Sequence, residues 1–152
     1  KLEKAGMFVF LEYTPEQVKK VLVEGGGTVD AIIEKINARR LVIDSITSFA
    51  LLYQDELTRK EAALALFELI NKWKCTAILT SQEKEVRRDA IEAELEFEVD
   101  SIIYLYHVKI KGVRKRAVEI LKMRGTKIPN ETFALEISKR GIVINTKEKV
   151  IF

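Results

Sequence analysis

The chain has 152 residues, 47% of them hydrophobic and 32% charged, with a formal net charge of +3. That composition excludes a disordered chain and supports one buried core, and so small a charge does not by itself imply nucleic acid. Cys75 is the only cysteine, which excludes a disulfide framework and a cysteine-based metal site. Placed at the start of an apolar run, it reads as a small core residue rather than a reactive thiol. No apolar stretch reaches membrane-spanning length and the N-terminus does not look like a signal peptide, so a cytoplasmic protein is expected. The first residue is Lys1 rather than methionine, as expected of a fragment.

Strands and helices alternate along the chain. Met7–Tyr13, "MFVFLEY", has the composition of a strand. Thr14-Pro15-Glu16-Gln17 then has the form of a helix start, with a hydroxyl cap, proline in the first turn and Gln17 completing a capping box. Gly25-Gly26-Gly27 ends that helix, and Val29, Ile32, Ile33 and Ile36 predict a second short one. "RLVIDS", from Arg40, is the next strand. After it Thr58 and Glu61 suggest another capping box, ahead of a stripe of Ala62, Ala65, Leu66, Leu69, Ile70 and Trp73. This stripe is expected to cover central strands containing Val42, Ile43, Ile78 and Leu79, the second of them being Cys75–Gln82, "CTAILTSQ".

From Glu83 to Asp100 charged residues dominate, with Arg87 and Arg88 among many acids, which predicts a solvated loop or short helix. Two long strand-like runs follow, "SIIYLYHVKI" and "RAVEILKMR", joined near Gly112. "FALEI" and "GIVIN" then meet about a turn at Ser138–Gly141. Connections this short permit hairpins and not crossovers, so pairing should pass from parallel to antiparallel. With no repeat, low-complexity stretch or linker, residues 1–152 are expected to form a single α/β domain with an antiparallel extension.

Two strands end in polar groups after apolar runs: Asp44-Ser45 and Thr80-Ser81-Gln82. In an open α/β sheet, ligands bind beyond the carboxyl ends of the parallel strands. Asp44 could order a water on magnesium, which keeps several waters and takes few protein carboxylates. Gln82 could sense a terminal phosphate or an attacking water. By itself, an aspartate at a strand end caps a neighbouring helix just as readily.

In "ILKMRGTKIP", Lys122 and Arg124 lie two residues apart, on one face of a strand at about 6.6–6.8 Å. Gly125 permits a sharp turn and Thr126 adds a hydroxyl. An anion clamp and a solvated edge strand charged against aggregation are both open readings. His107, the sole histidine, reads as a residue packed at a sheet surface, with no second ligand cluster beside it. Glu12, after an apolar run like Asp44, is a possible rim carboxylate. The basic run Lys109, Lys111, Arg114, Lys115 and Arg116 lacks interleaved aromatics, which favours a solvated hairpin tip over a nucleic-acid surface.

Taken in order, "RLVIDSITSF", "TAILTSQ", "EILKMRGT" and "ALEISKRGIVI" resemble the C-terminal half of KaiC-like ATPases of the RecA superfamily, from about Met7 to Asn145. The resemblance implies a RecA-like three-layer core extended by antiparallel C-terminal strands, using ATP and Mg2+. It implies that Asp44 is the Walker B aspartate and binds magnesium through water, with Gln82 in a catalytic role. Ser45, Lys122, Arg124 and Thr126 are then nucleotide-binding. It further implies a homo-oligomeric ring in which the Lys-Met-Arg-Gly-Thr strand reaches the neighbouring subunit's nucleotide, and it allows a protein client.

The family's phosphate loop, Gly-x-x-x-x-Gly-Lys-Ser/Thr, and its water-activating glutamates are expected upstream of the matched stretch. Without them this stretch alone is expected to be inactive. The alternative is a non-catalytic RecA-like module that binds partners or nucleic acid.

Overall fold

The computed structural model describes residues 2–82 and 98–151, which fall into two compact units, Lys1–Leu95 and Glu96–Phe152. The expected charged loop at Glu83–Asp100 lies for the most part outside the described residues.

The first unit holds α1 (Pro15–Val23), α2 (Gly27–Ile36), β1 (Arg40–Ile43), α3 (Ile46–Ala50), α4 (Glu56–Trp73) and β2 (Thr76–Leu79). Helix α1 starts where the capping box predicts: the Thr14 hydroxyl accepts from the Gln17 amide at 3.3 Å, and the Gln17 side chain accepts from the Thr14 amide at 2.7 Å. Its half-buried Val18 and Leu22 pack onto the core. The boundary between α1 and α2 is locked from a distance. Gly26, buried with φ of 112°, leaves its Cα side to the carboxylate of Asp30. That carboxylate accepts from both the Lys72 ammonium and the Trp73 indole of α4, while Lys72 also donates to the Gly25 carbonyl at 2.9 Å.

Strands β1 and β2 pair in parallel, Arg40 with Thr76 through Ile43 with Leu79. Their inward residues, Leu41, Ile43, Ala77 and Leu79, pack against a cluster of Phe49, Ala62, Leu66 and Ile70.

Four expectations need correcting. Met7–Tyr13 belongs to no strand and its apolar side chains are exposed; a strand exists only through a ladder partner, and neither β1 nor β2 pairs with it. The N-cap of helix α4 lies three residues before the anticipated one at Thr58, because the Asp55 carboxylate accepts from the Thr58 amide at 2.9 Å and serves as N-cap itself. Within α4, Ala65 is exposed and Phe67 is buried, so the covered face is rotated from the expected stripe. Ile43 and Leu79 lie beneath α4, but Val42 and Ile78 alternate to the other face of the pleat and are 63% and 60% exposed.

The second unit is a four-stranded antiparallel sheet in the order β3 (Ser101–Ile110), β4 (Val113–Met123), β5 (Phe133–Ser138) and β6 (Gly141–Lys149). The hairpins turn at Gly112 and at Ser138–Gly141, as predicted. Ala117, Ala134 and Val150 form its buried centre, with Tyr106 and Ile110 packed against them. The Tyr106 hydroxyl donates to Glu119 at 2.8 Å across the first hairpin. His107 is exposed at the sheet surface. The change from parallel to antiparallel pairing thus falls where connection lengths placed it. Among the described residues no helix is long and apolar enough to cross a membrane.

Candidate nucleotide site

The parallel register sets the site. Because Ile43 lies opposite Leu79, the next residues, Asp44 and Thr80, emerge side by side at the carboxyl ends of the two strands. The Thr80 amide donates to the Ile43 carbonyl at 3.0 Å, and the Ile46 amide donates to the Thr80 carbonyl at 3.0 Å, so the ladder continues past both strands. The Thr80 hydroxyl then donates to the Asp44 carboxylate. Asp44 is exposed, and the Asp44–Ser45 peptide is cis. Ser45 is the N-cap residue of α3, although its side chain makes no capping hydrogen bond.

A second link runs one residue further out. Thr47, in the first turn of α3, accepts from the Gln82 amide at 2.8 Å and shares a hydroxyl–hydroxyl hydrogen bond of 3.3 Å with Ser81. Three hydroxyls therefore tie Asp44 and Gln82 to one rim. Thr47 escaped the sequence reading. Its only signal was its position three residues after Asp44, which becomes informative once the following segment is known to turn into a helix. Glu12 is exposed in a segment with no strand, so it does not end a strand as Asp44 does.

On the second unit, Lys122 is half-buried on β4 opposite Ile102, beside a register irregularity between Ile102 and Ile103. The strand ends at Met123, one residue short of Arg124. Arg124 nevertheless extends the ladder by one bond, its amide donating to the Asp100 carbonyl at 2.8 Å, while its guanidinium lies 3.2 Å from the Asp100 carboxylate. Gly125, with φ of 72°, makes the turn that follows, and the Thr126 amide closes it by donating to the Met123 carbonyl at 3.3 Å.

The donor chemistry at Asp44 fits magnesium held mainly by phosphates and water: one exposed carboxylate among hydroxyls, with one or two carboxylates being the usual protein share for that ion. Among the described residues no cluster of three or more His, Cys, Asp or Glu could hold a metal alone.

Comparison with known proteins fits this geometry. A circadian clock oscillator protein KaiC of Synechococcus elongatus is 32% identical over 159 aligned residues, covering 95% of this chain and 29% of that protein. A UPF0273 protein of Saccharolobus solfataricus is 33% identical over 116 residues, 76% of this chain and 41% of the relative. The chain therefore spans less than half the length of these relatives. The crystal structure of a KaiC-like protein from Pyrococcus horikoshii superposes with a TM-score of 0.73 at 30% identity, over 95% of this chain and 62% of that one. The sequence profile of the family described as "ATPase: KaiC" matches residues 1–149, and the chain belongs to this KaiC-like family of RecA-fold ATPases.

Proposed function

We propose that residues 1–152 form the C-terminal part of one ATP-hydrolysing RecA-type domain, with Asp44 as its Walker B carboxylate. The observation that carries this reading is the rim at the ends of β1 and β2, where Thr80 orients Asp44 and Thr47 ties Gln82 and Ser81 to the same edge. Asp44 would hold a magnesium-bound water, and the bound ion would neutralise charge on the terminal phosphates. Gln82, held by its own backbone, would present its amide to the terminal phosphate or the attacking water. Ser45 would supply a hydroxyl to this nucleotide, and Thr126, in the Lys-Met-Arg-Gly-Thr segment, one to the nucleotide of a neighbouring subunit.

Lys122 and Arg124 would act on the nucleotide of a neighbouring subunit in a homo-oligomer. The Arg124–Asp100 pair does not oppose this role, because both side chains are largely exposed and such a pair is worth only about 0–1 kcal/mol. Its exchange for a phosphate is therefore inexpensive.

The test uses a protein that carries this chain together with a Gly-Lys-Ser/Thr phosphate loop. Asp44→Asn should lower ATP hydrolysis by about a hundredfold or more. Thr80→Val, which removes one charge-assisted hydrogen bond from the carboxylate, should lower it by about tenfold. Hydrolysis unchanged in Asp44→Asn would reject the assignment.

A further inference from the structure

We propose that the turn-proximal half of the β3–β4 hairpin, from His107 to Arg116, is a docking ribbon for the phosphate backbone of double-stranded nucleic acid. The register sets Lys109 opposite Arg114 and His107 opposite Arg116, and directly opposed residues share a face. Two rungs of the ribbon thus carry three permanent cations and an imidazole on one side, about 5 Å apart across the strands and about 7 Å along them. All four are exposed. Like charges placed opposite each other destabilise a ladder, and an external anion reverses that penalty.

The two faces differ in how their charge is balanced. Lys115, which alternates to the other face, is matched by Glu148 at 3.2 Å. Among the described residues no ion pair is formed by Lys109, Lys111, Arg114 or Arg116.

Shape points to a duplex. Strand β5 is bonded to β4 only at Ala117 and Val118, so from His107 to Arg116 the hairpin is a two-stranded ribbon. Such a ribbon fits the major groove of a duplex. It closes tightly at Lys111 and Gly112, with φ of 48° and 85°. Because β5 runs antiparallel to β4, the turn bearing Lys139 and Arg140 lies at the same end of the sheet.

Tyr104 and Tyr106 alternate to the opposite face from His107, so the two cationic rungs carry no tyrosine, phenylalanine or tryptophan for the bases of a single strand to stack on. Guanidinium forks and ammonium groups suit phosphate oxygens. No apolar residue interrupts the two cationic rungs, whereas a protein interface is built around an apolar centre; the aliphatic part of this face begins one rung further, at Leu105 and Val118.

The test is fluorescence anisotropy of the chain with a fluorescein-labelled 20-base-pair DNA duplex across a range of KCl concentrations. Binding is expected in the non-specific range, with Kd about 1–100 μM, and three phosphate contacts predict a slope of log K against log salt of about −2.7. Arg114→Gln with Arg116→Gln should weaken binding about tenfold or more and reduce the slope by about 2. The Arg114→Lys, Arg116→Lys variant should keep the slope. A charge-reversing control in the first unit, Lys4→Glu with Lys35→Glu, should leave affinity within about twofold, since the charges that matter touch phosphate. Matching circular dichroism melts establish that the variants fold.

Equal weakening by the control would overturn the proposal in favour of a diffuse net-charge effect. Tighter binding of a 20-residue oligo-dT strand, or of polyglutamate, would reject the duplex as the partner. Absence of duplex binding at 100 μM chain and low salt, a limit set by the same non-specific range of about 1–100 μM, would reject it as well.

Discussion

Leu66→Ala tests whether the helix α4 layer holds the first unit together. Leu66 is 6% exposed and lies among Phe49, Ala62 and Ile70, with Leu41, Ile43 and Leu79 of the sheet against them. The substitution removes three carbons, worth about 2.4 kcal/mol at about 0.8 kcal/mol each. A cavity term adds to this and carries the usual range to about 5 kcal/mol. Because several of the neighbours are only half-buried and can relax inward, about 2.5–4 kcal/mol is expected. With a urea m-value of about 2 kcal/mol/M, the unfolding midpoint should fall by about 1–2 M. Trp73 is the sole tryptophan and sits at the end of α4, so its fluorescence reports this unit. Val42→Ala, on the exposed face of β1, should cost less than about 1 kcal/mol. A Leu66→Ala midpoint that moves no further than that of Val42→Ala would refute a core built on the α4 face of the sheet.

The Asp30 carboxyl is held below its ordinary value of 3.8, first by the hydrogen bond from Lys72 and then by that from Trp73. A depressed folded-state pKa stabilises the protein above the unfolded value, and that stability is lost as pH falls through the folded one. Asp30→Ala should therefore be destabilised at neutral pH, with the gap to the parent closing below about pH 4 in urea melts followed by Trp73; a gap independent of pH would contradict the ion-pair lock. Residues 1–152 by themselves contain no Gly-Lys-Ser/Thr loop and should bind MgATP far more weakly than a whole site, each missing charge-assisted hydrogen bond costing about 1.5–3 kcal/mol. Micromolar binding of MgATP to this chain by calorimetry would contradict that expectation.

Local features were legible in the sequence because their partners lie within a turn. Thr14 and Gln17 satisfy each other, and short connections are enough to force the β3–β4 and β5–β6 hairpins. Met7–Tyr13 carries the same β-branched and aromatic composition as a true strand, but strand identity is decided by a non-local ladder. Asp55 and Thr58 are both good caps, and only the carboxylate–amide geometry puts the α4 cap at Asp55, three residues before Thr58. Val42 and Ile78 have the sequence context of core residues, because an unbroken apolar run looks the same whether one face of a strand is covered or both.

At the site, the residue types at the ends of β1 and β2 were visible in the sequence. Their pairing across 36 positions, Asp44 with Thr80, required the register. Thr47 required the turn into α3 as well.

Subunit mixing tests most directly whether Asp44 and the cations Lys122 and Arg124 serve one ATP site, in a protein that carries this chain with its phosphate loop. One protein carries Asp44→Asn and the other carries Lys122→Ala with Arg124→Ala, each defective when assembled alone. If the cations act across an interface, mixed assemblies contain sites with an intact Asp44 and intact cations from the neighbour, and hydrolysis should partly return. An arginine supplied in this way is worth about a thousandfold or more in rate, so even a minority of such sites should be measurable. Hydrolysis that stays at the level of the separate variants, while native mass spectrometry shows that the subunits have exchanged, would contradict the assignment.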